Sequence, residues 1–324
     1  MRRREFVAGT IGAVACPLMA RAQRSAMPVI ALVRSSSLLQ FDHLVTAFRQ
    51  GLKEMNFVEG LNVIVEYRSA EDRHEQLPEL VADLVRRRVD VIVGNIAAAL
   101  AAKAATSTIP IVFTTGGDPL KEGLVVSLNH PGANVTGVTF FGAVLGAKRL
   151  ELLRQLSPKP MKIAVLFSSN NPSTEAERRE VEAAAFTVGQ QLVILDANTD
   201  SDIDAAFTTI VQRRADALLV GPGAFLNSRR QRVVSLAAQH ALLTSFAWRE
   251  AVLAGALMSY GTSQTDAFRQ AGVYAGRILN GEKPGDLPVL QPTKFELVIN
   301  LKAAKTLGIE IPLALLRSAE EVIE

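Results

Sequence analysis

Short runs of aliphatic and β-branched residues recur along this chain, and most lead into a stretch whose apolar residues fall three and four apart. Val29-Ile30-Ala31-Leu32-Val33 is the first such run, and Phe41, Leu44, Val45, Phe48, Leu52 and Met55 follow at helical spacing. A strand that is apolar along its whole length is buried on both faces. Strands of that kind alternating with helices predict a parallel sheet covered on both sides. Val63-Ile64-Val65-Glu66-Tyr67, Asp90-Val91-Ile92-Val93-Gly94 and Ile109-Pro110-Ile111-Val112-Phe113 continue the pattern, the last two separated by an Ala-rich segment at 97–105.

The second half repeats the plan. Met161-Lys162-Ile163-Ala164-Val165-Leu166-Phe167 ends in Ser168-Ser169-Asn170, as the first strand ends in Arg34-Ser35-Ser36-Ser37. Asp216 to Gly221 then echoes Asp90 to Gly94, and two more strands follow at 242–246 and 256–259. The expected fold is α/β, with two Rossmann-like three-layer α/β/α lobes joined by a hinge. The first lobe spans 27–145 and is completed by a last strand within 295–324; the second spans 146–290. The carboxyl ends of the strands face a shared cleft, where open α/β sheets bind ligands. Three crossings near 139–145, 256–262 and 286–294 form the expected hinge.

The first 22 residues read as an address. Arg2-Arg3-Arg4-Glu5-Phe6-Val7 opens a short apolar stretch that ends in Ala20-Arg21-Ala22, a small-x-small cleavage pattern with Gln23 as the mature start. The paired arginines followed by Phe and Val resemble a twin-arginine export signal. Cys16, the chain's only cysteine, lies in this leader behind Ala13-Val14-Ala15, a poor lipobox. The mature chain therefore has no disulfide, thiolate nucleophile or Cys-ligated metal. The leader's four arginines and one glutamate also account for the net charge of +3, leaving 31 basic and 31 acidic residues in the body. That neutrality gives no support for nucleic-acid binding. A hydrophobic fraction of 48% excludes a disordered chain.

Catalytic patterns are missing. Neither lobe's first strand is followed by Gly-x-Gly-x-x-Gly, and the phosphate loop with its lysine is absent. Leu257-Met258-Ser259-Tyr260-Gly261 looks like a nucleophile elbow but has Leu where Gly is required. His43, His74, His130 and His240 lie in unrelated segments without metal spacing. No cofactor is expected.

The candidate ligand contacts are polar and aromatic residues just past strand ends: Ser36, Ser37, Asn95, Thr115, Gly116, Asp118 and Asn170, with Gly221 at the end of its strand. Hydroxyls and backbone N–H groups at helix starts suit a carboxylate or another small anion. Asp118 either holds an amine or caps a helix begun by Asp118-Pro119. Phe246, Trp248 and Tyr260 either stack on a flat ligand or pack in the core.

Several runs carry a family likeness. They include Ile111-Val112-Phe113 with Gly117-Asp118-Pro119, His130-Pro131-Gly132-Ala133-Asn134-Val135-Thr136-Gly137, Lys148-Arg149-Leu150-Glu151, Trp248-Arg249-Glu250 and Gln291-Pro292-Thr293-Lys294-Phe295-Glu296. In these runs, and over nearly the whole mature chain, the sequence resembles ABC-transporter substrate-binding proteins of the tryptophan/tyrosine-binding type. These form a branch of the type I periplasmic binding protein fold. The resemblance implies a periplasmic protein, usually a monomer, that captures a small solute by hinge closure. It would hand the solute to a membrane permease driven by a separate ATPase. Where relatives often carry Asp-Pro-Phe-Phe and Tyr-Glu near the cleft, this chain has Gly223-Ala224-Phe225-Leu226 and Phe246-Ala247. Both changes remove polar groups and favour an aromatic or branched acid over a free amino acid. A sensor subunit would share the fold and differ only in partner. A secreted enzyme is disfavoured by the missing catalytic groups, and a sugar-responsive repressor by an export signal where a DNA-binding domain would stand.

Overall fold

The structure is a computed structural model that describes residues 27–37, 41–141, 145–157 and 161–324. The expected export signal at 1–22 and Cys16 lie outside the described residues. In chain order, the first half contains β1 (Val29–Arg34), α1 (Asp42–Glu54), β2 (Ile64–Ser69), α2 (Leu77–Arg86), β3 (Val91–Asn95), α3 (Ile96–Ala105), β4 (Ile111–Thr115) and β5 (Val135–Thr139). The strands form a five-stranded sheet in the order β2-β1-β3-β4-β5. Every pair in it is parallel. Successive residues feed opposite faces, as strand geometry requires. Ile30, Leu32, Val91 and Val93 pack in one apolar cluster, and Ala31, Val33, Ile92 and Phe113 pack in the other.

The chain crosses to the second lobe after β5 and builds α4 (Gly146–Arg154), β6 (Ile163–Phe167), α5 (Thr174–Thr187), β7 (Leu192–Asp196), α6 (Asp200–Gln212), β8 (Ala217–Val220), α7 (Ala224–Ser228), α8 (Arg230–Gln239), β9 (Leu243–Phe246), α9 (Arg249–Leu253) and β10 (Met258–Gly261). Buried Arg149 on α4 meets buried Glu177 on α5 at 2.5 Å, tying the first two helices of this lobe together. The long α10 (Gln264–Leu279) follows, then β11 (Glu296–Asn300), α11 (Leu301–Leu307), α12 (Leu313–Ser318) and β12 (Glu321–Ile323).

Two features differ from the sequence expectation. Residues 295–324 do not complete the first lobe. Instead, β11 pairs antiparallel with β10, and β12 pairs with β11, making the second sheet seven-stranded in the order β12-β11-β10-β9-β8-β6-β7. Leu297, Ile299, Ala304, Ile311 and Leu315 share a core with Leu219, Leu257 and Met258. The apolar face of this tail is thus buried in the second lobe, and its pairing covers the β10 edge. The helix that does join the first lobe is α10, expected in the second. Its Ala267, Ala271, Tyr274, Ala275 and Ile278 sit in the core with Phe48, Leu52, Val93 and Val112.

Glycines make that crossing possible. A Cβ at Gly272 would fall 2.1 Å from the Phe48 carbonyl oxygen, and one at Gly51 would fall 1.9 Å from that of Arg269. Helices α1 and α10 therefore meet backbone to backbone. After α10 the chain runs beside β5, where the Leu290 N–H donates to the Gly137 carbonyl at 3.0 Å and the Thr139 N–H donates to the Leu290 carbonyl at 2.9 Å. Replacing Gly272 with Ala forces a methyl into backbone and is expected to cost about 3 kcal/mol, the upper end for overpacking. A thermal melt of G272A should show a midpoint roughly 6–12 °C lower, at about 2–4 °C per kcal/mol.

Candidate ligand-binding cleft

The carboxyl ends of β1, β3 and β4 face those of β6 and β8 across a narrow cleft. Between them lies a cavity of about 40 Å³. The first lobe contributes Arg34, Asn95, Ile96, Thr114, Gly116 and Phe140; the second contributes Asn171, Ser173, Pro222, Ala224 and Asn227. Gln264 and Phe268, one turn apart on α10, complete the wall. A neighbouring void of about 10 Å³ shares Asn95, Ile96, Asn171 and Ala224 with it and adds Ser35, His74 and Ser168. Ligand sites are typically about 300–1,000 Å³. The lobes therefore stand closed more tightly than a filled site, and a ligand enters only when they part.

Arg34 is the charged residue of the larger cavity. It ends β1, is 4% exposed, and holds its guanidinium 3.9 Å from the centre of the Phe41 ring and 5.3 Å from that of Phe268. Its Nε has no hydrogen-bond partner, and no carboxylate among the described residues pairs with it. Burial lowers its pKa to about 10, which leaves it cationic at neutral pH. The ring faces partly compensate through cation–π attraction.

Four polar contacts among the described residues cross the cleft. Glu122, in the turn after β4, accepts a hydrogen bond from Thr115 Oγ1 at 2.8 Å on its own lobe and another from Ser173 Oγ of the opposite lobe. Gly117 makes room for this latch, because a Cβ there would collide with both the Glu122 carboxylate and the Ser173 hydroxyl. Burial pushes the Glu122 carboxyl above its ordinary value, and the hydrogen bonds from Ser173 and Thr115 partly oppose the shift. Arg229 meets Asp72 at 3.3 Å, and His43 lies 3.6 Å from Glu250. Burial raises the Asp72 pKa against the pull of Arg229 and lowers that of His43 against the pull of Glu250. Asn227 Nδ2 also donates to Gln264 Oε1 at 3.1 Å, linking α7 to α10.

Asn95 and Gly116, both expected from sequence, line the cavity. Asn95 is engaged with Ser35: its Oδ1 accepts from the Ser35 N–H at 3.2 Å and its Nδ2 donates to Ser35 Oγ at 2.8 Å. Ser36 is buried with an unpartnered hydroxyl, while Ser37 is half-buried beside it. Three expected residues sit one position away from a lining residue. Thr115 turns to Glu122 while Thr114 lines the cavity. Asn170 is exposed, its N–H donating to Asn198 Oδ1, while Asn171 lines it; Gly221 packs on Phe167 while Pro222 lines it. Asp118 accepts from the Leu120 N–H at 3.0 Å in its own turn.

The expected aromatics lie away from the cavity. Phe246 is in the second-lobe core, and Tyr260 stacks on Phe295 at 6.4 Å. Trp248 is buried in the first-lobe core, edge-on to Phe140 at 5.1 Å. The lining residues not anticipated include Arg34, Phe140, Ser173, Asn227, Gln264 and Phe268. The readable signal for Arg34 was a cation ending an otherwise apolar strand.

Two lobes closing over a pocket at their strand ends define a solute-binding clamp. Residues 27–323 match the family model for ABC transporter substrate binding protein, and the chain belongs to that family. The family is a non-catalytic component of ABC importers, typically periplasmic or secreted, that works with membrane permease and ATPase subunits. A tyrosine-binding protein of Clostridioides difficile is 26% identical over 83% of this chain and 77% of its own length. A Streptococcus pneumoniae domain solved in complex with L-Trp is 26% identical and matches 92% of this chain and 100% of its own with a TM-score of 0.82. A ligand-free, open substrate-binding protein from Clostridium difficile is also 26% identical and covers 91% of this chain and 99% of its own, but its TM-score is 0.63. At equal identity, this chain superposes more fully on the ligand-bound relative than on the open one.

The raised Glu122 carboxyl makes closure pH-dependent. Burial makes the closed form hold this proton more tightly than an open form in which water reaches the carboxyl, so the advantage is present below the ordinary carboxylate range and is lost as pH rises through the raised value. The ratio of ligand dissociation constants, E122Q over wild type, should therefore be larger at pH 4.5 than at pH 7.5 when both are titrated calorimetrically. A ratio constant across that window contradicts the latch.

Proposed function

We propose that this chain is the periplasmic capture subunit of an ABC importer, and that it closes over a small amino-acid-like or aromatic or branched organic acid. The observation that carries this reading is the closed cleft itself: it pairs one buried cation with apolar walls from Ile96, Phe140, Phe268, Pro222 and Ala224. The tyrosine-binding and L-Trp-bound relatives support the same ligand class. Gly223, beside the cavity-lining Ala224, stands where relatives often carry Asp, in line with a less polar ligand.

Capture works by population shift. Ligand touches both lobes at once only in the closed form, so it stabilises that form over the open one. The hinge is assigned to the crossings near 139–145, 256–262 and 286–294. Export uses the twin-arginine leader with cleavage after Ala22, and the loaded monomer delivers its cargo to the permease and its ATPase.

A thermal-shift screen of the chain from Gln23 onward, against amino acids, aromatic acids and branched acids, tests the reading. One chemical class should raise the melting temperature, with about 2.7 kcal/mol of stabilisation at a hundredfold excess over the dissociation constant. Mass spectrometry should recover that compound unchanged. Turnover of the compound, or no shift from any class, contradicts the proposal.

A further inference from the structure

We infer that the cleft selects a monocarboxylate that carries no ammonium group, and that Arg34 is its anchor. The inference rests on solute capture as proposed above and names the ligand's charge.

The argument starts from what Arg34 lacks. Its guanidinium is buried and stacked over Phe41, its Nε is unpartnered, and it borders the cavity. An isolated charge in a low-dielectric interior is strongly unfavourable until an opposite charge meets it. The planar fork of a guanidinium is matched by a carboxylate, which takes two parallel N–H···O bonds. A ligand carboxylate placed against this fork supplies the partner that the protein does not.

The second half of the argument is where the protein's own carboxylates go. An amino-acid ligand also brings an ammonium, which needs an anion or several free acceptors when buried. The nearby acids are turned elsewhere. Glu122 is taken by Thr115 and Ser173, Asp118 by the Leu120 N–H, Asp72 faces Arg229, and Glu250 faces His43. No Asp or Glu is among the described residues lining the cavity. Its other polar groups are neutral amides and hydroxyls, and three of the amides are already committed: Asn95 to Ser35, and Asn227 and Gln264 to each other. A zwitterion would leave its positive end beside a buried cation without compensation. A 2-oxo acid or an aryl acid leaves nothing unpaired.

The test is calorimetry on the mature full-length chain with matched pairs: phenylpyruvate against L-phenylalanine, and 4-methyl-2-oxopentanoate against L-leucine. The amides of the two acids serve as neutral controls. In at least one pair, the acid should bind at least tenfold more tightly than its amino acid and its amide. Arg34→Met should weaken that acid at least about thirtyfold, as expected when one partner of a buried charged pair is lost. The same variant should melt no lower than wild type without ligand, because it removes an unpaired buried charge. An amino acid or amide that binds more tightly than its acid overturns the inference and leaves solute capture standing. So does Arg34→Met binding the acid like wild type. Absence of binding by acids, amino acids and amides alike overturns both. The comparison on wild type decides the matter even if the variant folds poorly.

Discussion

The backbone contact between α1 and α10 organises this molecule. Gly51 and Gly272 let two helices from opposite halves of the chain lie closer than any side chain would allow. Once α10 is fixed there, its first turns fall at the mouth of the cleft. Phe268 lies beside the Arg34 guanidinium, and Gln264 reaches Asn227 on the other lobe. The same placement forces the chain to return along β5 before it can enter β11, so two of the three inter-lobe crossings are consequences of one helix packing. Thr262 adds to this junction by donating to the Phe140 carbonyl at 2.7 Å. Phe140 in turn meets both the cavity and the Trp248 ring.

Closure is governed by charge as much as by shape. A cleft closed around Arg34 alone holds an unpaired cation, and closing also buries Glu122 without a cationic partner. Both terms favour the open form when no anion is present. A carboxylate ligand reverses the first term and gains apolar contact with Ile96, Phe140 and Phe268. Moving such an equilibrium from 1:99 to 99:1 needs about 5.5 kcal/mol of differential binding. A buried guanidinium–carboxylate pair together with desolvated apolar surface is of the right size to supply it. Asp72 with Arg229 at 3.3 Å and His43 with Glu250 at 3.6 Å are part-buried pairs, each leaving one buried polar atom without a hydrogen-bond partner, and they align the lobes more than they hold them.

Much of this was legible in the sequence because strands buried on both faces leave a plain mark. The runs 29–33, 91–94 and 163–167 lie in β1, β3 and β6, and the doubled plan appears as two sheets. The destination of α10 was not legible. Its apolar stripe suits either lobe, and only the match of Gly272 to the Phe48 backbone decides between them. Several of the residues expected at the site fall on or beside the lining of the inter-lobe cavity. Thr115, Asn170 and Gly221 each neighbour a lining residue; in β4 successive residues point to opposite sides, so Thr114 meets the cleft and Thr115 does not, while Asn170 and Gly221 lie in loops whose course the strand pattern does not fix. Trp248 and Phe246 pack in the cores rather than at the cavity for a different reason. A loop that follows a strand end also borders the junction between lobes, and there a large ring packs better in the core than at an opening that must close and reopen.

Solution scattering tests the central claim that ligand drives these lobes together. The mature chain should show a larger radius of gyration alone than with saturating ligand, and the ligand-bound profile should match the closed arrangement described above. Identical profiles with and without a ligand that calorimetry shows to be bound would contradict closure as the mechanism of capture.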